Sequence, residues 1–228
     1  MSNSPLVNYI KISPNRTSPR KDKIKKITIH HVAGNLTVEA IGNIFAPASR
    51  KASANYGIDS KGRVGMYVEE KDRAWTSSNA GNDNQAITIE VANDGGAPKW
   101  HVSDKALKKT IELCIDICKR NGIKKLNYTG NASGNLTMHK YFANTNCPGP
   151  YLESKFPYIA NEVNKALNAK ASSKPNNSNK TLYRVQVGAY KNKQNAINMV
   201  NKIKNLGFDT YMVKVGNLYK VQTGAYSV

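Results

Sequence analysis

One histidine and one cysteine lie eight positions apart beside a rigid turn. They are His139 and Cys147 in the stretch LTMHKYFANTNCPGP, where Pro148 and Gly149 follow the cysteine. The chain has only four histidines and three cysteines, so the pair suggests a shared metal ion, with chance as the alternative. Zinc in hydrolases usually takes three protein ligands and leaves one position for water. A third ligand must then come from elsewhere in the chain.

The apolar segment ITIHHV offers that third ligand. It is β-branched and reads as a buried strand that ends in two histidines. Strand alternation places Thr28 and His30 on one face, and Ile27, Ile29 and His31 on the other. Either histidine could therefore be the ligand, but not both from one face. The alternative is that both are ordinary core or surface histidines.

A carboxylate occupies the second predicted strand, AITIEVAND. Glu90 lies among Ile87, Ile89 and Val91, which form an apolar face. A buried carboxylate is costly unless it is paired, protonated or functional. Glu90 could act as general base to a zinc-bound water, or it could form a salt bridge with a nearby lysine.

The overall composition limits the partners and the compartment. The net charge of +19 indicates a polyanionic environment, such as nucleic acid, anionic lipid or an acidic wall polymer. Nucleic acid is not expected, because no recognition motif interleaves aromatics with the basic segments. No apolar run reaches membrane-spanning length. The first residues contain no apolar h-region, so we expect no secretory signal and synthesis in the cytoplasm. Three cysteines make no disulfide framework.

Composition also divides the chain. The segment AKASSKPNNSNK is small, polar and without apolar periodicity, so it predicts a linker at 169–180 between domains at 1–168 and 181–228. From Ala169 onward there are ten lysines and arginines and one aspartate, a net charge of +9.

Strands interspersed with helices predict an α/β first domain with a mixed central sheet flanked by helices. A hairpin is expected around a turn at Ser60–Gly62. SDKALKKTIELCIDICKRNG predicts a helix capped by Ser103 and ended by Gly122, with Cys114 and Cys118 as buried apolar residues. FPYIANEVNKALN predicts a second helix with Pro157 near its start.

The tail predicts a small α+β domain. YRVQVGAY recurs as YKVQTGAY, and KQNAINMVNKIKNLG lies between the two copies. The copies are strand-like and the intervening segment is helical, ending at Gly207, so the expected order is β-α-β-β. A further helix would be expected after the second copy, and the tail is therefore expected to be incomplete.

Four segments together resemble the zinc N-acetylmuramoyl-L-alanine amidases. They are ITIHHVAG, SANYGIDSKGRVGMYVEEKDRAWTSS, AITIEVAND and MHKYFANTNCPG, in that family's order over about residues 20–165. The same family includes phage amidases and peptidoglycan recognition proteins. The tail resembles a SPOR domain, a module that binds peptidoglycan glycan strands.

The resemblance implies a zinc ion held by His30, His139 and Cys147. It places Glu90 where some members have their catalytic glutamate. It places Thr145 where relatives keep a lysine or threonine near the scissile carbonyl, and Thr145 would bond the oxyanion.

The implied substrate contacts are Trp75, Thr76 and Tyr56. The family's AWHAG is AWTSS here, so Thr76 replaces a histidine. A tyrosine that some relatives use corresponds to Ala54, and Tyr56, two residues on, would face the same side.

The sequence thus predicts a cell-wall hydrolase of the phage endolysin or autolysin type. It would cut the amide between N-acetylmuramic acid and L-alanine, with the tail holding it on peptidoglycan. We expect a monomer. The alternatives are a non-catalytic peptidoglycan-binding protein and a zinc endopeptidase of the stem peptide.

Overall fold

A computed structural model describes residues 2–171, 182–206, 208 and 210–227. The chain divides into two compact units, Met1–Lys174 and Pro175–Val228. The helices are α1 (Val38–Phe45), α2 (Ala80–Gln85), α3 (Asp104–Asn121), α4 (Pro150–Ala171) and α5 (Lys193–Asn205). The strands are β1 (Tyr9–Ile10), β2 (Arg16–Thr17), β3 (Lys26–His31), β4 (Tyr56–Ile58), β5 (Val64–Met66), β6 (Arg73–Ala74), β7 (Ala86–Val91), β8 (Leu136–Met138), β9 (Leu182–Tyr190), β10 (Thr210–Val215) and β11 (Leu218–Ser227).

A six-stranded mixed sheet forms the centre of the first unit, in the order β1-β5-β4-β7-β3-β8. Only the β4–β5 pair is antiparallel, and it is the predicted hairpin. Strands β4, β7, β3 and β8 are parallel neighbours. Their carboxyl ends therefore meet at one edge of the sheet. The predicted α/β architecture with a mixed sheet is confirmed.

One face of this sheet is apolar and is covered by α3 and α4. Ile27 and Ile29 of β3 pack in a buried cluster with Leu113 of α3 and Phe156 of α4. Burial of such a face is the main stabilising term for a domain of this size. The predicted alternation of β3 is therefore correct.

Helix α3 begins and ends as the sequence predicts. The Ser103 side chain accepts a hydrogen bond from the backbone N–H of Ala106 at 3.1 Å, which caps the first turn. Gly122 ends the helix in the left-handed conformation, with φ of 69°. Cys114 and Cys118 are fully buried in the core, as expected of small apolar residues.

Helix α4 begins six residues before the predicted segment, which starts at Phe156. It starts at Pro150, and Pro157 lies inside it. A proline is well suited to a first helical turn, because the N–H that it lacks would have no partner there. Pro157 is exposed, so water can reach the carbonyl that its missing N–H leaves without a helical partner.

The other face of the sheet is polar and is only partly covered. Three threonines of the parallel strands are fully buried on it: Thr28, Thr88 and Thr137. Helix α2 lies beside them, since the Asn82 amide donates to Thr28 Oγ1 at 3.0 Å. Helix α1 packs on the same face further along, where a side chain at Gly57 would contact Ile41. This polar face is the one that carries His30 and Glu90.

The second unit has the predicted β-α-β-β order. Its three strands form an antiparallel sheet in the order β10-β11-β9, and α5 connects β9 to β10. Ala196 of α5 and Val221 of β11 are fully buried. Gly207, the predicted helix end, lies outside the described residues, as does most of the predicted linker. Residues 169–171, the linker's first three, belong to α4. No helix in the described ranges is both long and apolar enough to cross a membrane.

Candidate metal centre and active site

Three side chains from separate parts of the first unit converge at the carboxyl edge of the sheet. His30 lies near the end of β3, His139 directly follows β8, and Cys147 lies in the loop before α4. One potential ligand atom from each lies within 4.8 Å of the others. The convergence arises because β3 and β8 are parallel neighbours, so residues that end these strands emerge together.

Burial favours the neutral form of the two histidines. Burial lowers the pKa of His30 well below its usual value, and burial also lowers the pKa of His139. The Nε2 atoms of both rings are buried with no hydrogen-bond partner in the part of the chain that the structure describes. Neutral imidazoles are the form that binds a metal, and a cation would satisfy the buried nitrogens.

Cys147 completes the donor set. Burial raises the pKa of its thiol, with the nearby Glu90 charge as a smaller cause, against a hydrogen bond from the His31 backbone. That backbone N–H donates to Sγ at 3.4 Å. A divalent cation deprotonates a coordinating thiol outright. Two imidazoles and one thiolate are a donor set that fits a catalytic zinc site, which takes three protein ligands.

Glu90 lies beside the ligands on the neighbouring strand. It pairs in register with His30, and its side chain faces the same side of the sheet. The residue is partly exposed, but its Oε2 is buried with no hydrogen-bond partner among the described residues. Burial raises the pKa of Glu90 to about 8, against a smaller lowering by Arg50. Within the described part of the chain, Glu90 forms no salt bridge of the kind considered from the sequence.

The loop that carries Cys147 is fixed by local contacts. The backbone N–H of Cys147 donates to Thr145 Oγ1 at 3.2 Å, and its carbonyl accepts from the Lys140 N–H at 3.1 Å. Thr145 accepts this bond, and its hydroxyl donates to no acceptor among the described residues. Gly149 adopts a φ of 81°, a conformation that favours glycine.

His31 points away from the cluster of ligands. Its ring packs edge-on against Trp100, with ring centroids 5.4 Å apart. His31 contacts the ligand cluster through its backbone N–H, which donates to Cys147 Sγ. The alternation of β3 left both histidines open as ligands, and the structure brings His30 together with His139 and Cys147.

Trp75 and Thr76 line a cleft of about 250 Å³ together with Asp83. The Trp75 indole N–H donates to Thr17 Oγ1 at 2.9 Å. Thr76 Oγ1 contacts the Ser53 carbonyl at 2.7 Å and Thr88 Oγ1 at 2.8 Å. Thr76 thus reaches towards the strand of Glu90 from the wall of this cleft.

The structure does not bring Tyr56 to the site. It pairs with Ile89, so it lies on the apolar face of the sheet, and its side chain is fully buried. Its hydroxyl donates to Glu70 Oε1 at 2.7 Å and accepts from the Ser4 N–H at 2.9 Å. The prediction that Tyr56 contacts substrate is corrected: it is a core residue.

Two neighbours of the centre were not singled out in the sequence. Arg50 is exposed and acts on the charge of Glu90, and Trp100 packs on His31. Trp100 also lines a cleft of about 390 Å³ with Lys140 and Asn146. No local sequence pattern marks either residue, because Arg50 lies in a short 3₁₀ turn and Trp100 in a loop. A larger cleft, about 480 Å³ between α3 and α4, holds none of the site residues.

Comparison with known proteins identifies the family. The family model for N-acetylmuramoyl-L-alanine amidase matches residues 20–150, and the SPOR domain model matches residues 179–228. The chain belongs to the N-acetylmuramoyl-L-alanine amidase family. Both resemblances expected from the sequence are thereby confirmed. An amidase of peptidoglycan is the activity that this family supports, and the SPOR match supports targeting to the cell wall.

Solved structures share the fold of this amidase. The catalytic domain of XlyA has a TM-score of 0.54 at 16% identity, covering 68% of this chain and 97% of that one. A mutant endolysin from Bacillus subtilis has a TM-score of 0.54 at 19% identity, covering 69% and 99%. PlyL has a TM-score of 0.54 at 17% identity, covering 68% and 95%.

One relative is similar over a short stretch. It is an uncharacterized protein of Aquifex aeolicus (strain VF5), 43% identical over 44 residues. The match spans 19% of this chain and 19% of that protein.

Proposed function

We propose that the chain is a zinc-dependent hydrolase of the amide between N-acetylmuramic acid and L-alanine. The observation that carries this proposal is the convergence of His30, His139 and Cys147 beside Glu90. Two neutral imidazoles and a thiol lie within 4.8 Å of one another, with a carboxylate one strand away. Metal-assisted hydrolysis needs this combination of an open metal site and a nearby base.

Zinc, when bound, supplies a Lewis acid that polarises the scissile carbonyl and acidifies a water molecule. Glu90 would accept the proton that the attacking water loses as its oxygen adds to the carbonyl carbon. When the carbon–nitrogen bond breaks, Glu90 would return the proton to the departing amine. The products are a free lactyl carboxylate on the sugar and a peptide with a new amino terminus at alanine.

The state of Glu90 suits this role. Its pKa of about 8 describes the carboxyl without a cation. A neighbouring divalent cation favours the charged form and lowers that pKa. With a cation bound, the Glu90 carboxyl would be ionised and available as a base at neutral pH, while burial would keep it basic enough to accept a proton.

Two further contributions follow from positions around the centre. Thr145 has a free hydroxyl proton and lies two residues from Cys147, so it can donate to the developing oxyanion. Trp75 and Thr76 line the 250 Å³ cleft, where they would contact substrate.

The second unit would act as the wall-binding part. We assign the catalytic domain to the first unit, which includes all of α4 to Ala171, and the targeting domain to residues 181–228. Holding the enzyme on peptidoglycan raises the local concentration of substrate. The excess positive charge of the tail suits an anionic cell envelope. The whole would act on the bacterial wall as a monomer, in the manner of an endolysin or autolysin.

Zinc content tests the proposed centre. Elemental analysis of the purified chain should find one zinc ion per molecule. His30→Ala should lose the metal, whereas His31→Ala should keep most of it, because the His31 contact to Cys147 comes from the backbone. A His31→Ala variant that loses zinc while His30→Ala keeps it would overturn this assignment of ligands.

A further inference from the structure

Three neighbouring strands repeat one spacing beneath the candidate centre. A threonine precedes each functional residue by two positions: Thr28 before His30, Thr88 before Glu90, and Thr137 before His139. Thr28 pairs in register with both Thr88 and Thr137. Residues two apart on a strand share a face. The three hydroxyls therefore form a row directly below the ligands and the base.

This threonine row lies in a place where apolar residues would be expected. All three side chains are fully buried, and valine has nearly the same shape and a comparable preference for strands. A buried hydroxyl is unfavourable unless it is hydrogen-bonded. The hydroxyls are bonded, and their partners show what the row connects.

Thr28 ties the two histidine strands together through side chains. Its Oγ1 lies 2.9 Å from Oγ1 of Thr137, which joins β3 to β8. It also accepts from the Asn82 amide at 3.0 Å, and that amide lies 3.2 Å from Ser77 Oγ. The Asn82 side chain therefore links helix α2 to Thr28 as well.

Thr88 makes the corresponding connection under Glu90. Its Oγ1 accepts from the Asn55 N–H at 3.1 Å and contacts Thr76 Oγ1 at 2.8 Å. Thr76 is held in turn, because its backbone N–H donates to Asp83 Oδ2 at 3.0 Å. The wall of the 250 Å³ cleft is therefore bonded to the strand of the base.

Backbone pairing does not join β3 to β8 at the positions of His30 and His139. The pairing of β3 with β8 ends at Ile29 and Met138, one residue before each histidine. His139 begins a short 3₁₀ turn that leaves the sheet. The Thr28–Thr137 bond lies on the same face as both rings, whose centroids are 4.7 Å apart.

We propose that the Thr28–Thr137 hydroxyl pair positions His30 and His139 for the metal. The pair touches neither metal nor substrate, and it acts by fixing the separation of two ligands that leave the sheet on different strands. This inference rests on the proposed metal function. Outer partners that orient metal ligands typically contribute 10–100-fold to affinity.

The test measures zinc affinity on the full chain by competition with a chromophoric chelator. Thr28→Val removes the hydroxyl and keeps the shape, and we expect affinity to fall roughly tenfold. Thr28→Ser restores a hydroxyl and should bind nearly as tightly as wild type. Thr110→Val is the matched control, because Thr110 is equally buried but bonds the Ala106 carbonyl within α3. Circular dichroism verifies that each variant is folded.

A double-mutant cycle separates a shared bond from two independent effects. Thr28→Val with Thr137→Val should weaken zinc binding no more than the larger of the two single changes. Additive losses would overturn the pairing, as would a Thr28→Val affinity equal to that of Thr110→Val. If Thr28→Val does not fold, the zinc affinity of Thr137→Val is compared with that of Thr110→Val instead, and equal affinities would overturn the proposal. A wild-type chain that binds no zinc would instead overturn the proposed metal function.

Discussion

Two glutamates with buried carboxylate oxygens have opposite surroundings. Glu70 is fully buried and accepts from the Tyr56 hydroxyl, Arg120 and Asn121. Glu90 has a buried oxygen with no partner in the described ranges, and it pairs in register with His30 on the neighbouring strand. The first arrangement stabilises a fold. The second leaves a base whose proton affinity is raised by burial, which is what hydrolysis at this edge requires.

Glu90→Gln separates catalysis from stability. The amide keeps the shape but cannot accept the proton, so the rate of wall hydrolysis should fall roughly 10²–10⁴-fold. Zinc content and melting temperature should remain close to wild type, because Glu90 is not among the three ligands.

Glu70→Gln is the matched control for that variant. Breaking a buried ion pair costs about 3–5 kcal/mol of unfolding free energy, while activity per folded molecule should persist. Both quantities are measured on one preparation. A Glu90→Gln protein that melts early yet clears walls at the wild-type rate would show that Glu90 is structural.

The face on which a residue lies could be predicted where it depends only on the local periodicity of its strand. The alternation of β3 placed Thr28 with His30, and the apolar neighbours of Glu90 marked it as unusual. Tyr56 was assigned wrongly because its face depends on how β4 pairs with β7, which is a non-local fact. The threonine row was missed for the same reason, since it exists only when three distant segments lie in register.

At the scale of elements, the loop between β8 and α4 does most to build the centre. It carries Cys147 and ends in Gly149, where a side chain would lie 3.0 Å from Trp100 Cβ and 3.2 Å from His31 Cε1. The loop, the Trp100 segment and β3 therefore meet at one crowded point. The early start of α4 at Pro150 follows directly from this tight turn, which the helical pattern around Pro157 did not reveal.

Gly149→Ala should disturb the centre without touching a ligand. The left-handed conformation alone costs about 1–2 kcal/mol for alanine, or roughly 2–8 °C in melting temperature. The added contacts should shift Cys147 and weaken zinc binding, as measured by chelator competition.

Gly96→Ala is the control for the loop. A side chain at Gly96 would meet nothing within 4 Å in the described structure, so the melting temperature and the zinc affinity of Gly96→Ala should both stay near wild type. Unchanged zinc affinity in Gly149→Ala would contradict a loop held by these contacts.

At the scale of the whole molecule, the candidate site residues all lie in the first unit, whereas the second unit is the more basic for its length. All the site residues lie before Ala169, and no histidine, glutamate or cysteine follows it. The tail was predictable in order and type because its two strand copies repeat and its helix has a clear apolar face. The architecture of the first unit was predictable as a class, but its strand order was not, since parallel neighbours are distant in sequence.

The tail should contribute wall affinity and no chemistry. In pull-down with purified sacculi, the full chain should be retained more strongly than a chain ending at Lys174. Hydrolysis of small soluble muropeptides should be similar for the two, because they do not depend on attachment. Equal retention of both chains on sacculi would contradict a targeting role.

The bond that is cut is the central claim, and mass spectrometry of digested walls tests it most directly. We expect soluble peptides whose new amino terminus is L-alanine, together with glycan strands whose muramic acid carries a free lactyl carboxylate. New amino termini inside the stem peptide would identify an endopeptidase and contradict the account. Walls that bind the protein but yield no new amine would show a binding protein, and would contradict it equally.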